Sequence, residues 1–218
     1  MTFSLIASNA GIGSTSIDST GADLIVVWHS FDSAVTLTDS RNTLTALDEH
    51  FEANGGTKGR LFYYRGTNVG AAHTFTSSAG HGLVAVEAWA GSAASGTLVD
   101  QDGAGTPSGL VETLAPGSVT ADQTNCLVVC GLQMGGNSVT SLALSSSFTI
   151  EEHVQGSSGV NYGGAIAHKV LSSAGTESPV WTWGNTRSAV SGLAVFLAAD
   201  SSGGGSSNGA ARHYYAQL

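Results

Sequence analysis

Four short apolar runs constrain the fold of this 218-residue chain more than any other feature. Two of them read Gly-Leu-Val-Ala-Val-Glu-Ala-Trp at residues 82–89 and Gly-Leu-Ala-Val-Phe-Leu-Ala at residues 192–198. The other two read Asp-Leu-Ile-Val-Val-Trp at residues 23–28 and Asn-Cys-Leu-Val-Val-Cys at residues 125–130. Short, Val-rich runs that lie between turn residues are typical of strands. We therefore interpret the four runs as core strands, two from each of two related halves.

The similarity between the halves continues in chain order. Residues 23–27 match residues 125–129 at an offset of about 102. Residues 82–83 match residues 192–193 at an offset of about 110, and insertions in loops would produce this drift.

Two repeats are too few for a solenoid, so we expect both halves to pack into a single antiparallel β-sandwich. The predicted domain covers residues 1–200, with related halves at about 22–91 and 119–199. Side chains alternate between the two faces of a strand, so every second position of the four runs is expected in the core. These positions are Leu24, Val26, Val84, Val86, Leu127, Val129, Leu193 and Val195.

The composition supports an all-β chain. It contains 30 Gly and only 11% charged residues, which favours turns and strands over helices. We predict helix in fewer than about 10% of residues, because the hydrophobic periods are near two. Residues 112–114 are the one short region with a helical period.

The net charge of −9 works against two classes of partner. Nucleic acids require Lys and Arg against phosphate, and anionic membrane surfaces require basic patches. No run approaches the roughly 18 apolar residues of a membrane span. Residues 1–7 lack the basic region of a secretory signal peptide. We therefore expect neither nucleic acid nor a membrane as a partner.

Three segments stand apart from the predicted strands. Residues 91–118 form a long connection of small residues, which is expected to be functional or to cross between sheets. Residues 201–209 are a flexible Gly/Ser linker. Residues 210–218 are aromatic, and we predict that they dock on a neighbouring subunit or another protein. A frayed terminus or a tail folded back on its own domain is the alternative. The predicted docking residues are Arg212, His213, Tyr214, Tyr215 and Leu218.

The two cysteines are Cys126 and Cys130. On one strand they would lie about 13 Å apart, which is too far for a disulfide. We predict two buried, unpaired thiols, since the pair supplies too few ligands for a metal.

No catalytic motif is recognisable. The chain has no Gly-x-Ser-x-Gly elbow, no His-Glu-x-x-His helix and no P-loop, so we expect neither an enzyme nor a cofactor.

Three acidic segments are candidate sites. Residues 151–153, Glu-Glu-His, are interpreted as a solvated strand end, because strand neighbours point to opposite faces. Glu87 is either a buried functional carboxylate or an exposed residue on a wet sheet face, and we favour exposure. Residues 100–105 resemble a calcium loop weakly, and a plain turn is favoured over a metal site.

Aromatic residues supply the remaining candidate contacts. Trp181 and Trp183 share one strand face, and Tyr63 lies in a Tyr-rich strand. Exposed rings of this kind could stack on sugars, whereas core packing or a subunit contact is the favoured alternative.

Several of these runs form a pattern. It begins with a Leu-Ile-Val-Val strand at residues 24–27 and continues with Val-Thr-Leu-Thr-Asp-Ser-Arg-Asn-Thr at residues 35–43. A Tyr-rich strand at residues 61–64, a Val-Glu-x-x-x-Gly strand at 84–91 and a Leu-x-Asp loop at 98–100 follow. The second half contributes Phe-Thr-Ile-Glu-Glu at residues 148–152 and Ala-Ile-Ala-His-Lys-Val at residues 165–170.

This pattern resembles jelly-roll-like sandwich modules of tailed-bacteriophage virion proteins, head-decoration or tail-associated, over roughly residues 22–199. The resemblance implies a structural, non-enzymatic virion protein that assembles as a homo-oligomer with capsid or tail proteins. It carries over no catalytic residues. The second reading is a carbohydrate- or receptor-binding module at a fibre tip, with a host surface glycan as its partner.

Overall fold

The computed structural model describes residues 2–31, 35–53, 56–78, 82–105, 110–135, 141–155 and 162–199. Strands account for most of the described residues, all paired strands are antiparallel, and the described ranges contain no helix. The expectation of an all-β fold is therefore confirmed. The predicted docking residues at 212–218 lie outside the described ranges.

The first half contains eight strands in two sheets. They are β1 (Ser4–Ile12), β2 (Ser14–Ile17), β3 (Leu24–Phe31), β4 (Leu37–Asp39), β5 (Thr45–Phe51), β6 (Lys58–Arg65), β7 (His73–Ser77) and β8 (Leu83–Ala90). The larger sheet has the order β1-β8-β3-β6-β5, and the smaller sheet has the order β2-β7-β4.

The second half repeats this topology with one added pair of strands. Its strands are β9 (Leu98–Gly105), β10 (Val111–Leu114), β11 (Val119–Ala121), β12 (Leu127–Gly135), β13 (Ala143–Leu144), β14 (Thr149–Val154), β15 (Tyr162–Val170), β16 (Gly175–Glu177), β17 (Trp181–Arg187) and β18 (Ala189–Phe196). The larger sheet is ordered β14-β15-β12-β18-β9 and the smaller one β10-β17-β13, while β11 pairs with β16. Strand by strand, β9-β18-β12-β15-β14 corresponds to β1-β8-β3-β6-β5.

The sheets stack in layers, and the two five-stranded sheets lie in the middle. An interface core lies between these central sheets and contains apolar residues of β3, β6 and β8 against those of β12, β15 and β18. Each central sheet packs its other face on the smaller sheets of its own half, forming one outer core per half. The expectation that both halves share one sandwich core is thus replaced by two sandwiches joined face to face.

This stacking explains the unbroken apolar runs. All eight residues of β3 are buried, as are all eight of β18, because each strand is covered on both faces. The eight predicted core positions are confirmed, with at most 1% exposure. The positions between them are buried as well. Leu24 faces the interface core, whereas Cys126, its partner at an offset of 102, faces an outer core. The halves are therefore equivalent in topology. The predicted residue-by-residue alignment, however, is shifted by an odd number of residues, which assigns each side chain to the wrong face of its strand.

A glycine notch receives Trp28 at the centre of the interface core. A Cβ atom at Gly131 would lie 2.2 Å from Cδ2 of the fully buried Trp28 indole, and one at Gly192 would lie 2.9 Å from its Cζ3. These two glycines are paired across β12 and β18. Gly59 on β6 approaches the same ring, where a Cβ would lie 2.3 Å from Cζ2. The ring therefore lies directly on the backbone of the opposite sheet.

Two segments contain strands that their local composition did not indicate. The connection at residues 91–118 contains β9 and β10, and β9 is an edge strand of a central sheet despite its Gly and Ala content. Residues 112–114, which have a helical period, lie in β10 and pair with β17. Tertiary pairing outweighs the local composition in both places.

Candidate functional site

A surface cleft of about 510 Å³ lies between the ends of β5 and β6 and the loop at residues 91–97, which we call the 91–97 loop. Polar and aromatic side chains dominate its wall: Thr43, Thr45, Tyr63, Arg65, Ser95 and Thr97. Among the described residues that line this cleft, Arg65 carries the only formal charge, and none is Asp or Glu.

Arg65 is held in place by the 91–97 loop. Its Nε donates a hydrogen bond to the backbone carbonyl of Ala93. The same carbonyl accepts from Thr97 Oγ1 at 3.2 Å and from Ser92 Oγ at 3.4 Å. Among the described residues, no carboxylate forms an ion pair with Arg65. The cleft therefore presents an oriented guanidinium that no carboxylate of the described residues neutralises.

The 91–97 loop is itself anchored at both ends. The carboxylate of Asp23 accepts hydrogen bonds from the backbone N–H groups of Gly91 and Ser92, both at 3.0 Å. Leu197 accepts from the N–H of Ala93 at 2.8 Å and donates to the carbonyl of Thr97 at 2.7 Å. These bonds fix one wall of the cleft relative to the end of β18.

Tyr63, a sequence-predicted contact residue, lies in this cleft and is half-buried. Its ring packs edge-on against Phe196, with centroids 5.6 Å apart and an interplanar angle of 62°. One side of the ring thus belongs to the interface core, and the rest is available to the cleft.

A second hollow of about 480 Å³ lies on the other side of the 91–97 loop. It is lined by Ala93, Ala94, Ser95 and residues 197–199. The two hollows share Ala94 and Ser95 as a common wall. The last described residues of the chain line this second hollow.

The structure places the other two predicted contact residues in the interior. Trp181 is fully buried and Trp183 is 4% exposed, and both belong to the outer core of the second half. Trp181 Nε1 donates to Ser191 Oγ at 3.1 Å, and Trp183 Nε1 donates to the carbonyl of Val111 at 2.9 Å. Neither ring faces solvent, so stacking on a sugar is excluded for them in this chain, and core packing describes both.

A buried Ser-His-Asp constellation was missed because its members are far apart in the chain. Ser19 Oγ lies 2.8 Å from His73 Nδ1, and His73 Nε2 lies 2.6 Å from Asp39 Oδ1. In hydrolytic triads the serine bonds Nε2 and the acid bonds Nδ1, so the order is reversed here. Ser19 and the side chains of His73 and Asp39 have no exposure to solvent. The constellation therefore joins β4 and β7 to the segment that follows β2.

Glu87 is fully buried, so the expected exposure was wrong. Its Oε1 lies 3.0 Å from Nδ1 of His168 on the opposite central sheet, and its Oε2 accepts from Trp89 Nε1 at 3.1 Å. Burial raises the pKa of Glu87. Burial alone would lower the pKa of His168, but the hydrogen bond and charge of Glu87 outweigh it, so the pKa is raised. The pair bridges the two halves across their seam.

A bulge explains why the adjacent acids of β14 do not diverge. The register of β14 against β15 shifts between Ile150 and Glu152. As a result, Ser8 Oγ on β1 lies 3.2 Å from Glu151 Oε1 and 2.7 Å from Glu152 Oε1. The two carboxylates are half-buried against the other half, which corrects the expectation of a solvated strand end.

Residues 100–105 form strand β9, so both the calcium-loop and the turn interpretations were wrong. Asp100 Oδ2 accepts from the N–H of Thr120, and Asp102 Oδ2 accepts from the N–H of Ser118, each at 2.8 Å. These carboxylates attach the strand to the segment around β11. No group of three or more His, Cys, Asp or Glu side chains suited to a metal occurs in the described ranges.

Both cysteines are buried and unpaired, as predicted. Cys130 accepts a hydrogen bond from Trp181 Nε1 at 3.1 Å, and burial raises the pKa of its thiol to about 12. Such a thiol is inert and packs as part of the core.

Comparisons of the chain with protein-family models, with curated proteins and with solved structures found no match. Within the described ranges, no helix has the length and apolar character needed to cross a membrane.

Proposed function

We propose that this chain is a non-enzymatic structural protein of a tailed-bacteriophage virion, a head-decoration or tail-associated module made in the bacterial cytoplasm. The stacked architecture is the main support. Two five-stranded sheets covered on both faces make a stiff block, because well-packed interiors resist deformation. A block of this kind suits a load-bearing position in a particle.

The distribution of reactive groups also supports a structural role. The Ser19–His73–Asp39 constellation is sealed, and Cys130 is a protonated core thiol at neutral pH. The buried carboxylate of Glu87, a candidate catalytic acid, is hydrogen-bonded within the fold to His168.

Edge strands supply surfaces for assembly. The central sheets end in β1 and β5 in the first half and in β14 and β9 in the second. Ile6 on β1 is 41% exposed, and Phe51 on β5 is 60% exposed. Unpaired strand edges with exposed apolar side chains are templates for contact with another chain. The edges at β1 and β5 therefore support contacts with further copies or with capsid or tail proteins.

The C-terminal peptide is proposed to strengthen this assembly. Residues 201–209 act as a Gly/Ser linker that lets the peptide reach roughly 15–18 Å as a random coil. Tyr214 and Tyr215 offer contact area and hydroxyls suited to an interface. Tethering raises the effective concentration of the peptide and so strengthens docking without a large rigid interface.

Deleting residues 210–218 is expected to leave the melting temperature nearly unchanged while lowering incorporation into particles. The three described cores are formed by residues between Phe3 and Ala198, and we expect only the tethered contact to be lost. Incorporation is measured by quantitative mass spectrometry of purified particles. A control variant with nine Gly/Ser residues in place of 210–218 keeps the length and should show the same loss. Wild-type incorporation of both variants would contradict the docking role.

A second candidate function is recognition of a host surface glycan, and the cleft at Arg65 favours it. The cleft combines an aromatic ring, several hydroxyls and one oriented cation. Saturable binding of this chain to a glycan array would support this function. If the array shows no binding, glycan recognition is contradicted and the structural role remains as the only proposal.

A further inference from the structure

The cleft at Arg65 differs from the rest of the molecule in charge. The chain has a net charge of −9, with 7 Lys and Arg against 16 Asp and Glu. Other basic side chains form ion pairs, for example Lys169 with Glu177 at 2.8 Å and Lys58 with Glu49 at 3.4 Å. Arg65, by contrast, lies among neutral side chains in the described wall of the cleft. Such a site attracts an anion despite the negative net charge, because the local cation is not compensated.

We infer that this cleft binds a saccharide that carries a carboxylate group, an inference that rests on the second proposed function. The Nε of Arg65 is engaged by the carbonyl of Ala93, and the hydrogen bonds among the described residues use neither of its Nη groups. A guanidinium binds a carboxylate through two parallel N–H···O bonds. The bond to Ala93 orients the guanidinium in advance, which lowers the entropy cost of binding.

The remaining wall suits the rest of a sugar. Hydroxyls of Thr43, Thr45 and Ser95 can each donate and accept, as the hydroxyls of a sugar require. The ring of Tyr63 is fixed on one side by Phe196 and offers an apolar surface for the C–H face of a sugar ring. The volume of about 510 Å³ is within the range of small-ligand sites, roughly 300–1,000 Å³.

An acidic peptide is the competing ligand, and the wall favours the saccharide. An acidic peptide would need an apolar pocket for a neighbouring side chain to supply affinity beyond its carboxylate. The described wall is instead mainly small and hydroxylated, with Gly96 and Ala94 beside Ser95.

The test measures binding of the full-length chain to oligosaccharides that contain a uronic or sialic acid, by calorimetry and on an array. The same oligosaccharides with the carboxylate converted to a neutral ester, sulfated sugars and an acidic peptide are run in parallel. We expect saturable binding of the acidic saccharide and a loss of about 10- to 100-fold in affinity for the ester, as for loss of a charged hydrogen-bonded contact.

Variants assign the binding to the cleft. Arg65→Gln should lose about 10- to 100-fold in affinity, and Arg65→Lys should recover only part, because it keeps the charge without the paired donors. Arg41→Gln is the matched control, since Arg41 is an exposed arginine that does not line the cleft and donates to the carbonyl of Ala71. It should bind like the wild type. Unchanged melting temperatures establish that the variants are folded.

Three outcomes would overturn the inference. They are equal affinity for ester and acid, unchanged affinity in Arg65→Gln, or preference for the acidic peptide or the sulfated sugar. Neutral glycans that bind independently of Arg65 would overturn only the cleft assignment and leave glycan recognition standing. Absence of all saccharide binding would overturn both, while the structural virion role would be unaffected.

Discussion

Replacing Trp28 with Ala is expected to lower the free energy of unfolding by about 3–5 kcal/mol. The indole is fully buried and fills the centre of the interface core between the two halves. Removing it leaves a cavity between two sheets whose backbones are fixed by their own ladders, so the site can collapse only partly. Native domains are stable by about 5–15 kcal/mol, so this loss is a large fraction of the total.

Substitution of Gly131, which lies against Trp28 on the opposite sheet, tests the same contact between the two halves. Gly131→Ala places a methyl group where Trp28 now lies, and overpacking of this kind costs about 1–3 kcal/mol. In the double variant the methyl enters the cavity, so the combined loss should be smaller than the sum of the single losses. Gly175→Ala is the matched control, because no atom lies within 4 Å of the added Cβ.

Urea unfolding of the four variants and the wild type measures these effects. We expect Gly175→Ala to remain close to the wild type and the Trp28–Gly131 pair to be non-additive. Additive losses, or a Gly131→Ala variant as stable as the wild type, would show that the two halves do not meet at Trp28.

Acidification from pH 6.5 to pH 4 is expected to cost about 3 kcal/mol of stability through His29 alone. His29 is fully buried, and its Nε2 lies 2.9 Å from Ser77 Oγ. Burial, helped by the positive charge of Arg60, lowers the pKa of His29 to about 4. In the unfolded chain His29 therefore binds a proton near pH 6.5, whereas in the folded chain it stays neutral until the pH approaches 4. The contribution of His29 is present above pH 6.5 and is lost as the pH falls towards 4.

The Glu87–His168 pair acts in the opposite direction. Because the pKa of each group is raised in the folded chain, the pair contributes stability at low pH and loses it as the pH rises. The loss begins above the ordinary pKa of 4.5 for Glu87 and above 6.5 for His168. A raw pH profile therefore mixes both effects, and variants are needed to separate them.

The variant His29→Gln has no titratable group at this position, so its comparison with the wild type isolates the contribution of His29 to the pH dependence of stability. Its stability should depend less on pH than that of the wild type, by about 3 kcal/mol between pH 6.5 and 4. His153→Gln serves as the comparison, because burial also lowers the pKa of His153 but by less than for His29, so this variant should change the profile less. A nuclear magnetic resonance titration gives the same quantity directly. An imidazole of His29 that gains its proton near pH 6.5 would refute the burial argument.

Much of the fold could be predicted from the sequence because the central strands are unusually apolar. Strands β3, β8, β12 and β18 are buried on both faces, so their sequences are nearly continuous apolar runs that are easily recognised as strands. Burial on both faces also prevented a prediction of the number of stacked sheets. When every position of a strand is apolar, alternation cannot show how many faces are covered, and one core cannot be distinguished from three.

Other features depend on tertiary contacts that no local pattern encodes. Strand β9 has poor strand propensity, and its pairing with β18 makes it a strand. Glu87 was expected on a wet face because its partner, His168, lies 81 residues away on the other half. The cleft is assembled from three separate segments, so Tyr63 could be suspected from its type, whereas Arg65 could not.

The central proposal, a structural virion protein, is tested most directly by a cryo-electron microscopy map of purified particles. The account predicts density for the stacked double sandwich at symmetry-related positions on the head or tail, in a fixed copy number per particle. Particles that lack this density, with the chain recovered only in the soluble fraction of infected cells, would contradict it.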